Sequence, residues 1–292
     1  MLVSSPIELL DERIGEREAI KVFKDAGFEA FDMSLFRMIK KDNDYYTDED
    51  YIERATELRR YIDEIGIVCN QSHAPLPSSF GDERDEWIYH QIVKSMEIAS
   101  ILGAKCIVVH PKQHLNYAEH AKELFEMNVE FYKSLIPYAE RFGIKIATEN
   151  MWQTNNGSRV PSDSVCSRAW EFCKLIDAVN SPYLVGCLDI GHAALMNADI
   201  PKFIKALGPE RLQALHVHDV DLVHDNHTLP YLHKINFASV TEALGEIGYK
   251  GDITFEANSI FRNYPPELYL SVARLMKDTG DYLAKSVENF KK

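Results

Sequence analysis

The sequence predicts an α/β fold, a (β/α)8 barrel, built as a single domain over residues 1–292. Short apolar segments of strand character alternate with longer amphipathic segments of helical character along the whole chain, which is the pattern of a parallel sheet. Eight such units in 292 residues favour a closed barrel over an open, doubly wound sheet. The sequence contains no linker or low-complexity segment, and no glycine-rich loop follows the first strand, so a dinucleotide-binding fold is excluded.

The predicted strands are short runs rich in apolar and β-branched residues. Polar residues or proline end several of them: His73 precedes Ala74-Pro75, and His110 precedes Pro111. In chain order, the strands are predicted at Leu2–Ser4, Phe28–Ser34, Gly66–His73, Ala104–His110, Ile144–Asn150, Tyr183–Ile190, Arg211–Asp219 and Asp252–Glu256.

The predicted helices carry apolar residues at helical spacing, and most end at a glycine, the residue that best adopts the left-handed conformation after a helix. Gly27, Gly103, Gly143 and Gly248 hold this place, and a capping-box-like start at Thr47 begins the second helix. In chain order, the helices are predicted at Glu12–Ala26, Thr47–Ile65, Asp85–Leu102, Tyr117–Phe142, Ser164–Val179, Ala193–Leu207, Phe237–Ile247 and Glu267–Phe290.

Composition restricts the class of protein and its partners. The chain is 46% hydrophobic and 26% charged, as is usual for a soluble globular protein. Its net charge of −13 argues against a nucleic-acid or anionic-membrane partner, because phosphate binding requires a basic face. No apolar run has the length of a membrane span, and the start shows no signal-peptide pattern. We therefore expect a cytoplasmic protein with a small-molecule substrate; the sequence is compatible with a homo-oligomer.

The five cysteines are predicted to be free thiols in a reducing compartment. Their number is odd, and three of them fall in apolar, strand-like runs, which is the pattern of buried thiols rather than of a disulfide framework. They are Cys69, Cys106, Cys166, Cys173 and Cys187.

Six consecutive predicted strands end in, or close to, a carboxylate or an imidazole. Active sites of (β/α)8 barrels lie at the carboxyl ends of the strands, and buried acids are rare unless they are paired or bind metal. The convergence therefore predicts a metal site at this rim of the barrel. The six residues are His73, His110, Glu149, Asp189, His216 and Glu256.

The segment that follows the sixth strand adds His192, three residues after Asp189. Gly191 between them is expected to give the chain freedom to turn. The alternative for this pair is a helix-capping aspartate beside a surface histidine.

The loop after the seventh strand is acidic and rich in histidine, so it is either a solvated loop or a source of further ligands. Within it, Asp225 and His227 are candidates for a second metal position or for contacts with substrate hydroxyls. The other members are His218, Asp219, Asp221 and His224.

Together these motifs resemble the xylose-isomerase-like barrel superfamily, which includes sugar and sugar-phosphate isomerases, ketose 3-epimerases, inosose-processing enzymes and zinc-dependent apurinic endonucleases. The resemblance spans nearly the whole chain in the order of the family. It rests on Ser72-His73-Ala74-Pro75, Leu102 to Pro111, Thr148-Glu149-Asn150, Leu188 to His192, His216 to Asp219, Asp225-Asn226-His227 and Phe255-Glu256.

For the isomerase and epimerase branches, the resemblance implies one divalent ion, Mn, Zn, Co or Mg, held by Glu149, Asp189, His216 and Glu256. It also implies a metal-stabilised enediolate, with Glu149 and Glu256 as acid and base on strands well apart around the rim. We expect the enzyme to act on a sugar, a sugar phosphate or an inosose. Residues predicted to contact the substrate are His73, His110, His192, Asp225, His227, Trp152 and Arg262.

The endonuclease branch implies an alternative, a phosphoesterase with three zinc ions whose extra ligands match His73, His110, His192, Asp225 and His227. Two features argue against this alternative. The net charge is −13, and Gly191 stands where that branch favours cysteine. A barrel that only binds a sugar or polyol is a third interpretation, and the two retained glutamates argue against that one.

Aromatic and basic residues just beyond the strand ends are further candidates for substrate contacts. Trp152, Phe36 and Phe261 are candidates for apolar walls around a sugar ring, and the alternative for each is plain packing in the protein interior. Besides Arg262, the residues Lys112 and Arg159 are candidates to bind a phosphate or carboxylate of the substrate.

Overall fold

The structure, a computed structural model, describes residues 1–39, 49–154 and 160–291. These residues contain ten strands and ten α-helices. The strands are β1 Val3–Ser4, β2 Ala30–Ser34, β3 Val68–His73, β4 Cys106–Val108, β5 Lys145–Glu149, β6 Trp152–Thr154, β7 Pro161–Asp163, β8 Leu184–Asp189, β9 Leu212–His216 and β10 Ile253–Thr254. The helices are α1 Glu8–Ile14, α2 Glu16–Asp25, α3 Tyr51–Ile65, α4 Asp85–Leu102, α5 Tyr117–Phe142, α6 Ala169–Val179, α7 Ile190–Leu195, α8 Ile200–Arg211, α9 Phe237–Glu246 and α10 Tyr269–Phe290.

Eight of the strands form a closed parallel barrel, which confirms the predicted fold. Six strands pair in the order β2-β3-β4-β5-β8-β9, and β1 pairs with β10. Parallel bridges between Pro6 and Asp32, and between Val217 and Phe255, join these two groups into a ring. Because every barrel strand is parallel to its neighbours, all their carboxyl ends lie at one rim.

Two predicted helices are each divided in two. The first is broken at Gly15, whose backbone (φ 85°, ψ 153°) cannot continue a helix, and α1 already begins at Glu8. The helix after β8 is interrupted after α7, where Asn197 has a φ of 50°. The new helix α8 is then capped by Asp199, whose side chain accepts a hydrogen bond from the amide of Lys202.

The segment after β5 contains an antiparallel hairpin, β6–β7, that the sequence did not predict. The helix expected from Ser164 consequently begins only at Ala169. The helix expected from Thr47 is described from Tyr51, since Thr47 lies outside the described residues. In contrast, α4 and α5 have the predicted bounds and end at Gly103 and Gly143, both in the left-handed conformation.

The apolar core has two parts. The larger part lies between the strands and the surrounding helices, and the smaller one fills the barrel interior with small side chains. The interior cluster consists of Cys106, Val108, Ala147, Val185, Cys187 and Ala214. Inward-facing side chains one step further along β5, β8 and β9 are Glu149, Asp189 and His216, so the core ends where the polar site begins.

All five cysteines are free, as predicted, and four are buried; Cys173 is partly exposed. Within the residues that the structure describes, no helix is both long enough and apolar enough to cross a membrane.

Candidate active site

The structure brings the four predicted metal ligands together at the carboxyl ends of the strands. One ligand atom each of Glu149, Asp189, His216 and Glu256 lies within 4.8 Å of the others. His216 Nδ1 is 3.3 Å from Glu149 Oε2 and 3.1 Å from Glu256 Oε2. Ligand atoms bound to one ion at about 2.0–2.2 Å lie up to about 4.4 Å apart, so the spacing of the cluster is close to that of a coordination sphere.

Burial makes this cluster costly without a ligand. Glu149 and Asp189 are 0% exposed, and His216 is 1% exposed. Among the described residues, both carboxylate oxygens of Glu149, His216 Nδ1 and Glu256 Oε2 have no hydrogen-bond partner. Buried charges of this kind occur when they are paired or coordinate a metal. The donor set and its unpartnered atoms therefore fit a divalent ion.

The charge state of the cluster also suits metal binding. Burial by itself raises the pKa of Glu149, but His216 and His110 outweigh burial and hold the pKa well below its ordinary value. Glu256 behaves alike: burial raises its pKa, while the charges of His216 and His227 lower it more strongly. Both glutamates are thus carboxylates at neutral pH, the form in which they bind cations.

The two glutamates come from strands well apart around the rim, as predicted. Glu149 ends β5 and Glu256 follows β10, and β8 and β9 lie between these strands in the ring. In the structure their carboxylates meet across the narrow barrel end, within 4.8 Å of one another.

A second cluster consists of His192, His218, Asp225 and His227, again with ligand atoms within 4.8 Å. The Nε2 atoms of His192 and His227 lie 3.2 and 3.0 Å from Asp225 Oδ2. Burial lowers the pKa of His227, but the Glu256 and Asp225 carboxylates outweigh this and raise its pKa to about 9.

Backbone carbonyls fix the orientation of the histidine rings. His192 Nδ1 lies 2.9 Å from the Asn150 carbonyl oxygen, and His227 Nδ1 lies 2.9 Å from that of Glu256. Since a carbonyl only accepts, each Nδ1 carries the proton and donates it. Each Nε2 is then directed into the site, as in histidines that bind metal.

A third cluster consists of His73, His110 and Glu149. His110 Nε2 lies 3.1 Å from Glu149 Oε2 and 3.1 Å from His73 Nε2, while His73 Nδ1 donates to the Ala74 carbonyl at 2.8 Å. Glu149 therefore belongs to two clusters and connects them.

The pair Asp189 and His192 combines both interpretations of the sequence. Asp189 caps α7, since its Oδ1 accepts a hydrogen bond of 2.6 Å from the His192 amide. The surface-histidine alternative is wrong, because His192 is only 6% exposed and faces the site.

The role of Gly191 differs from the expected one. It lies in α7 and does not adopt a left-handed conformation. A Cβ at this position would lie 2.0 Å from Cε1 of His218, so the glycine makes room for that ring.

His218, which the sequence left as an open candidate, is completely buried at the centre of the site. Its Nε2 lies 3.0 Å from Asp189 Oδ1, and its ring stacks on His227 at 4.3 Å between centroids. His218 thus belongs to the second cluster and also contacts Asp189 of the first. The absence of a Cβ at Gly191 is the signal in the sequence that a bulky neighbour approaches there.

Two further polar residues were not assigned a role from the sequence. The Asn150 side chain bonds both the amide (2.7 Å) and the carbonyl (2.9 Å) of Asp189, which fixes the ends of β5 and β8 relative to each other. Asp32 on β2 is 1% exposed, and burial raises the pKa of its carboxyl group. The position of Asp32 inside the barrel could not be recognised from a single strand.

Of the predicted apolar walls, two border the site. Trp152 donates from Nε1 to Asp225 Oδ2 at 3.3 Å, and Phe36 packs edge-on against His73 at 4.6 Å between centroids. For Phe261 the packing alternative is confirmed and the wall is wrong, because it is 0% exposed and packs in the apolar core.

The predicted cationic contacts have different environments. Arg262 lines a cavity of about 240 Å³ next to His227 and Glu256. Lys112 is directed towards Asp85, with Nζ 3.8 Å from its carboxylate. Arg159 lies outside the described residues.

The remaining acidic residues of the loop stabilise the conformation of the loop itself. Asp219 accepts backbone hydrogen bonds from Val220, His233, Lys234 and Ile235.

Asp221 pairs with the exposed His224 at 2.9 Å. The loop is thus organised by Asp219 and Asp221, whereas Asp225 and His227 face the site.

The sequence matches the family of xylose isomerase-like TIM barrels over residues 20–279. The chain belongs to this family. It is 30% identical over 225 residues to an uncharacterized protein of Methanocaldococcus jannaschii, covering 74% of this chain and 72% of that one. It is 23% identical over 202 residues to the fructoselysine 3-epimerase of Escherichia coli O157:H7, covering 69% and 70% of the two chains.

Solved structures confirm the fold over the whole chain. A D-tagatose 3-epimerase-like protein superposes with a TM-score of 0.74 at 21% identity, covering 98% of this chain and 100% of the other. The IolI protein with a bound zinc atom superposes with a TM-score of 0.74 at 18% identity, covering 99% of each chain.

Proposed function

We propose that this xylose isomerase-like barrel, acting as one domain over residues 1–292, is a metal-dependent isomerase or epimerase of a sugar, sugar phosphate or inosose. The observation that carries the proposal is the buried cluster of Glu149, Asp189, His216 and Glu256, whose ligand atoms lie within 4.8 Å and include several without a hydrogen-bond partner among the described residues. Similarity to epimerases supports the same reaction class.

In this proposal, Glu149, Asp189, His216 and Glu256 hold one divalent ion. Three carboxylates and one imidazole suit Mn, Zn, Co or Mg. Such an ion polarises a carbonyl oxygen of the substrate and makes the adjacent C–H bond more acidic. The residues of the chain then have to remove a proton from carbon and return one.

Glu149 and Glu256 are the groups we assign to proton transfer. The lowered pKa values keep both as carboxylates, so either can accept a proton. They belong to strands on different sides of the barrel, which allows them to approach opposite faces of one substrate carbon. One carboxylate removes the proton from carbon and later releases it to solvent. The other first takes up a proton from solvent and then returns it to the opposite face, which inverts that carbon.

Trp152, Phe36 and the second cluster position the substrate in this proposal. The Nε2 atoms of His192 and His227 are directed into the site and suit hydrogen bonds with sugar hydroxyls. Phe36 and Trp152 border the same space with apolar surface.

The test is exchange of carbon-bound hydrogen with deuterated water, followed by NMR across a panel of ketoses, ketose phosphates and inososes with Mn, Zn, Co or Mg. We expect deuterium to enter the true substrate at the inverted carbon. Turnover without exchange would replace the proton route by hydride transfer between carbons. A lack of turnover and exchange across the panel would contradict the proposal.

One observation favours a second candidate, a phosphoesterase with three zinc ions. The first and third clusters share Glu149, and the second lies next to it. Together the three clusters contain ten residues that could bind metal, including His218. The net charge of −13 opposes this candidate, because few DNA phosphates would be neutralised. Zinc content per chain and incision of abasic duplex DNA separate the two candidates: three ions with efficient incision would support the phosphoesterase.

A further inference from the structure

A second cavity of about 380 Å³ lies at the opposite, amino-terminal end of the barrel. The residues that line it include Gln71, Lys105, Lys145, Gln213, Lys250 and Asp252. Lys145 begins β5, which Glu149 ends, and Asp252 and Glu256 flank β10; each pair is separated by four residues of extended chain, a rise of about 13 Å. This cavity is therefore separate from the proposed metal centre.

The one buried carboxylate at this cavity is already neutralised. Asp252 Oδ2 lies 2.7 Å from Lys105 Nζ and accepts a hydrogen bond of 3.1 Å from Asn70. Its Oδ1 accepts the backbone amide of Leu2 at 2.9 Å. Asp252 and Lys105 thus compensate each other, and the pair adds little net charge to the cavity.

Two further lysines remain without an acidic partner. Among the described residues, no carboxylate lies within 4.0 Å of Lys145 Nζ or Lys250 Nζ; Lys145 donates only to the neutral Gln213 Oε1, at 2.6 Å. Glu210 is a further acidic residue on the lining, and it is exposed to solvent. In a chain with a net charge of −13, such a site favours an anion.

One buried polar atom of the lining is left without a partner. Asn70 is 3% exposed, and its Oδ1, an acceptor, has no hydrogen-bond partner among the residues that the structure describes. Gln71, the next residue on β3, is equally buried, but its side chain faces the Asp32 carboxylate inside the barrel. Because an unpartnered buried acceptor is unfavourable, a ligand that offers a hydroxyl donor would satisfy Asn70.

We propose that this cavity is a binding site for a small polyanion, either a phosphate monoester or a hydroxylated di- or tricarboxylate. The ligand bridges Lys145 and Lys250, and its hydroxyl group donates to Asn70 Oδ1. The cavity of about 380 Å³ holds roughly a dozen water volumes, which excludes dinucleotides and suits a ligand of about 10–15 non-hydrogen atoms.

The test is isothermal titration of the metal-free protein with inorganic phosphate and, separately, with citrate, at an ionic strength kept constant with sodium chloride. We expect saturable binding of one anion per chain. The double variant Lys145→Met/Lys250→Met should bind at least about tenfold more weakly, the effect expected from the loss of charge-assisted hydrogen bonds. Tighter binding of phosphate or of citrate identifies which of the two chemistries the site takes.

A matched control is Lys122→Met/Lys133→Met, which removes the same two charges from the exposed surface of α5. Equal weakening in this control would overturn the proposal, because it would indicate a general effect of charge. Binding abolished by His216→Ala would also overturn it, since the anion would then occupy the metal centre. If the double variant fails to fold, the single variant Lys250→Met, at an exposed position, replaces it in the test. Unchanged anion affinity in Lys250→Met would contradict the proposal.

Discussion

Glu149 and Asp252 are two buried acids at opposite ends of the same barrel, and their surroundings differ. Asp252 accepts hydrogen bonds from three donors, namely Leu2, Asn70 and Lys105. Neither carboxylate oxygen of Glu149 has a hydrogen-bond partner among the described residues, although Glu149 is more deeply buried. One acid is satisfied by the chain itself, while the other is left for a ligand.

This difference separates stability from function within one fold. In (β/α)8 barrels the amino-terminal end contributes mainly to stability, and the carboxyl-terminal end holds the reactive groups. At the carboxyl-terminal end, nearby histidines hold Glu149 ionised while its oxygens make no hydrogen bond to described residues, and we infer that a bound cation coordinates these oxygens. Four predictions test the comparison.

The largest effect is expected from Glu149→Gln and Glu256→Gln. An amide can bind metal through its oxygen but cannot accept a proton at neutral pH. If both glutamates transfer protons, each metal-loaded variant should lose about 10²–10⁴-fold in turnover or in deuterium exchange. Full recovery with excess metal would assign both residues to metal binding alone. Asp177→Asn, which changes an exposed pair with Arg211, is the control for a charge change outside the site.

The next effect concerns metal binding and stability. Metal at about 100–1,000 times its dissociation constant should stabilise the wild type by about 2.7–4.1 kcal/mol, because it binds only the folded site. Urea unfolding with and without Mn or Zn measures this increment. Glu149→Ala should lose most of it, whereas Asp252→Asn should keep it in full. Loss of the increment in Asp252→Asn would contradict the separation of the two ends.

A smaller effect is expected for Gly191→Ala. Its new Cβ would lie 2.0 Å from the His218 ring, so the ring must move away from Asp189. Overpacking of this kind costs about 1–3 kcal/mol, and metal affinity should fall with it. In the double variant Gly191→Ala/His218→Ala the alanine no longer clashes, so the two changes should be strongly non-additive. Additive free energies of unfolding would show that the two residues do not interact.

The smallest effect is expected for Asp252→Asn, with a loss of about 1 kcal/mol at pH 7 as a charged acceptor is replaced. Burial raises the pKa of Asp252, but Lys105, the Leu2 amide and Asn70 outweigh it and lower the pKa below its ordinary value. The ionised carboxylate therefore contributes stability above the unfolded pKa of about 3.9, and this contribution is lost as the pH falls through the folded pKa. Urea unfolding at pH 7, 5 and 3 should show the difference between wild type and variant shrinking towards pH 3; a constant difference would exclude this electrostatic origin.

Much of the architecture followed from local sequence patterns. The helices α4 and α5 have their predicted bounds, because apolar spacing fixes a helix and a glycine in the left-handed conformation ends it. The eight barrel strands appear at their predicted places, and all eight are shorter than expected because only part of each apolar run pairs with its neighbours.

Breaks inside elements were predicted less well. Gly15 divides the first helix, although the apolar spacing continues across it. The hairpin β6–β7 has little alternation of its own and depends on pairing between Trp152 and Asp163. Both features are governed by contacts and backbone conformations that short-range hydrophobic spacing does not encode.

The sequence by itself determined that the chain folds as a parallel α/β barrel and that acids and histidines follow its strands. Strand alternation and strand direction are local properties, and together they direct Glu149, Asp189 and His216 to one rim. The tertiary structure decided which side chains meet: Glu149 is shared between two clusters, and His218 occupies the space beside Gly191. It also decided that Phe261 belongs to the core. These outcomes depend on ring closure and on strand register, which bring together residues far apart in the chain and are set by the packing of the whole barrel.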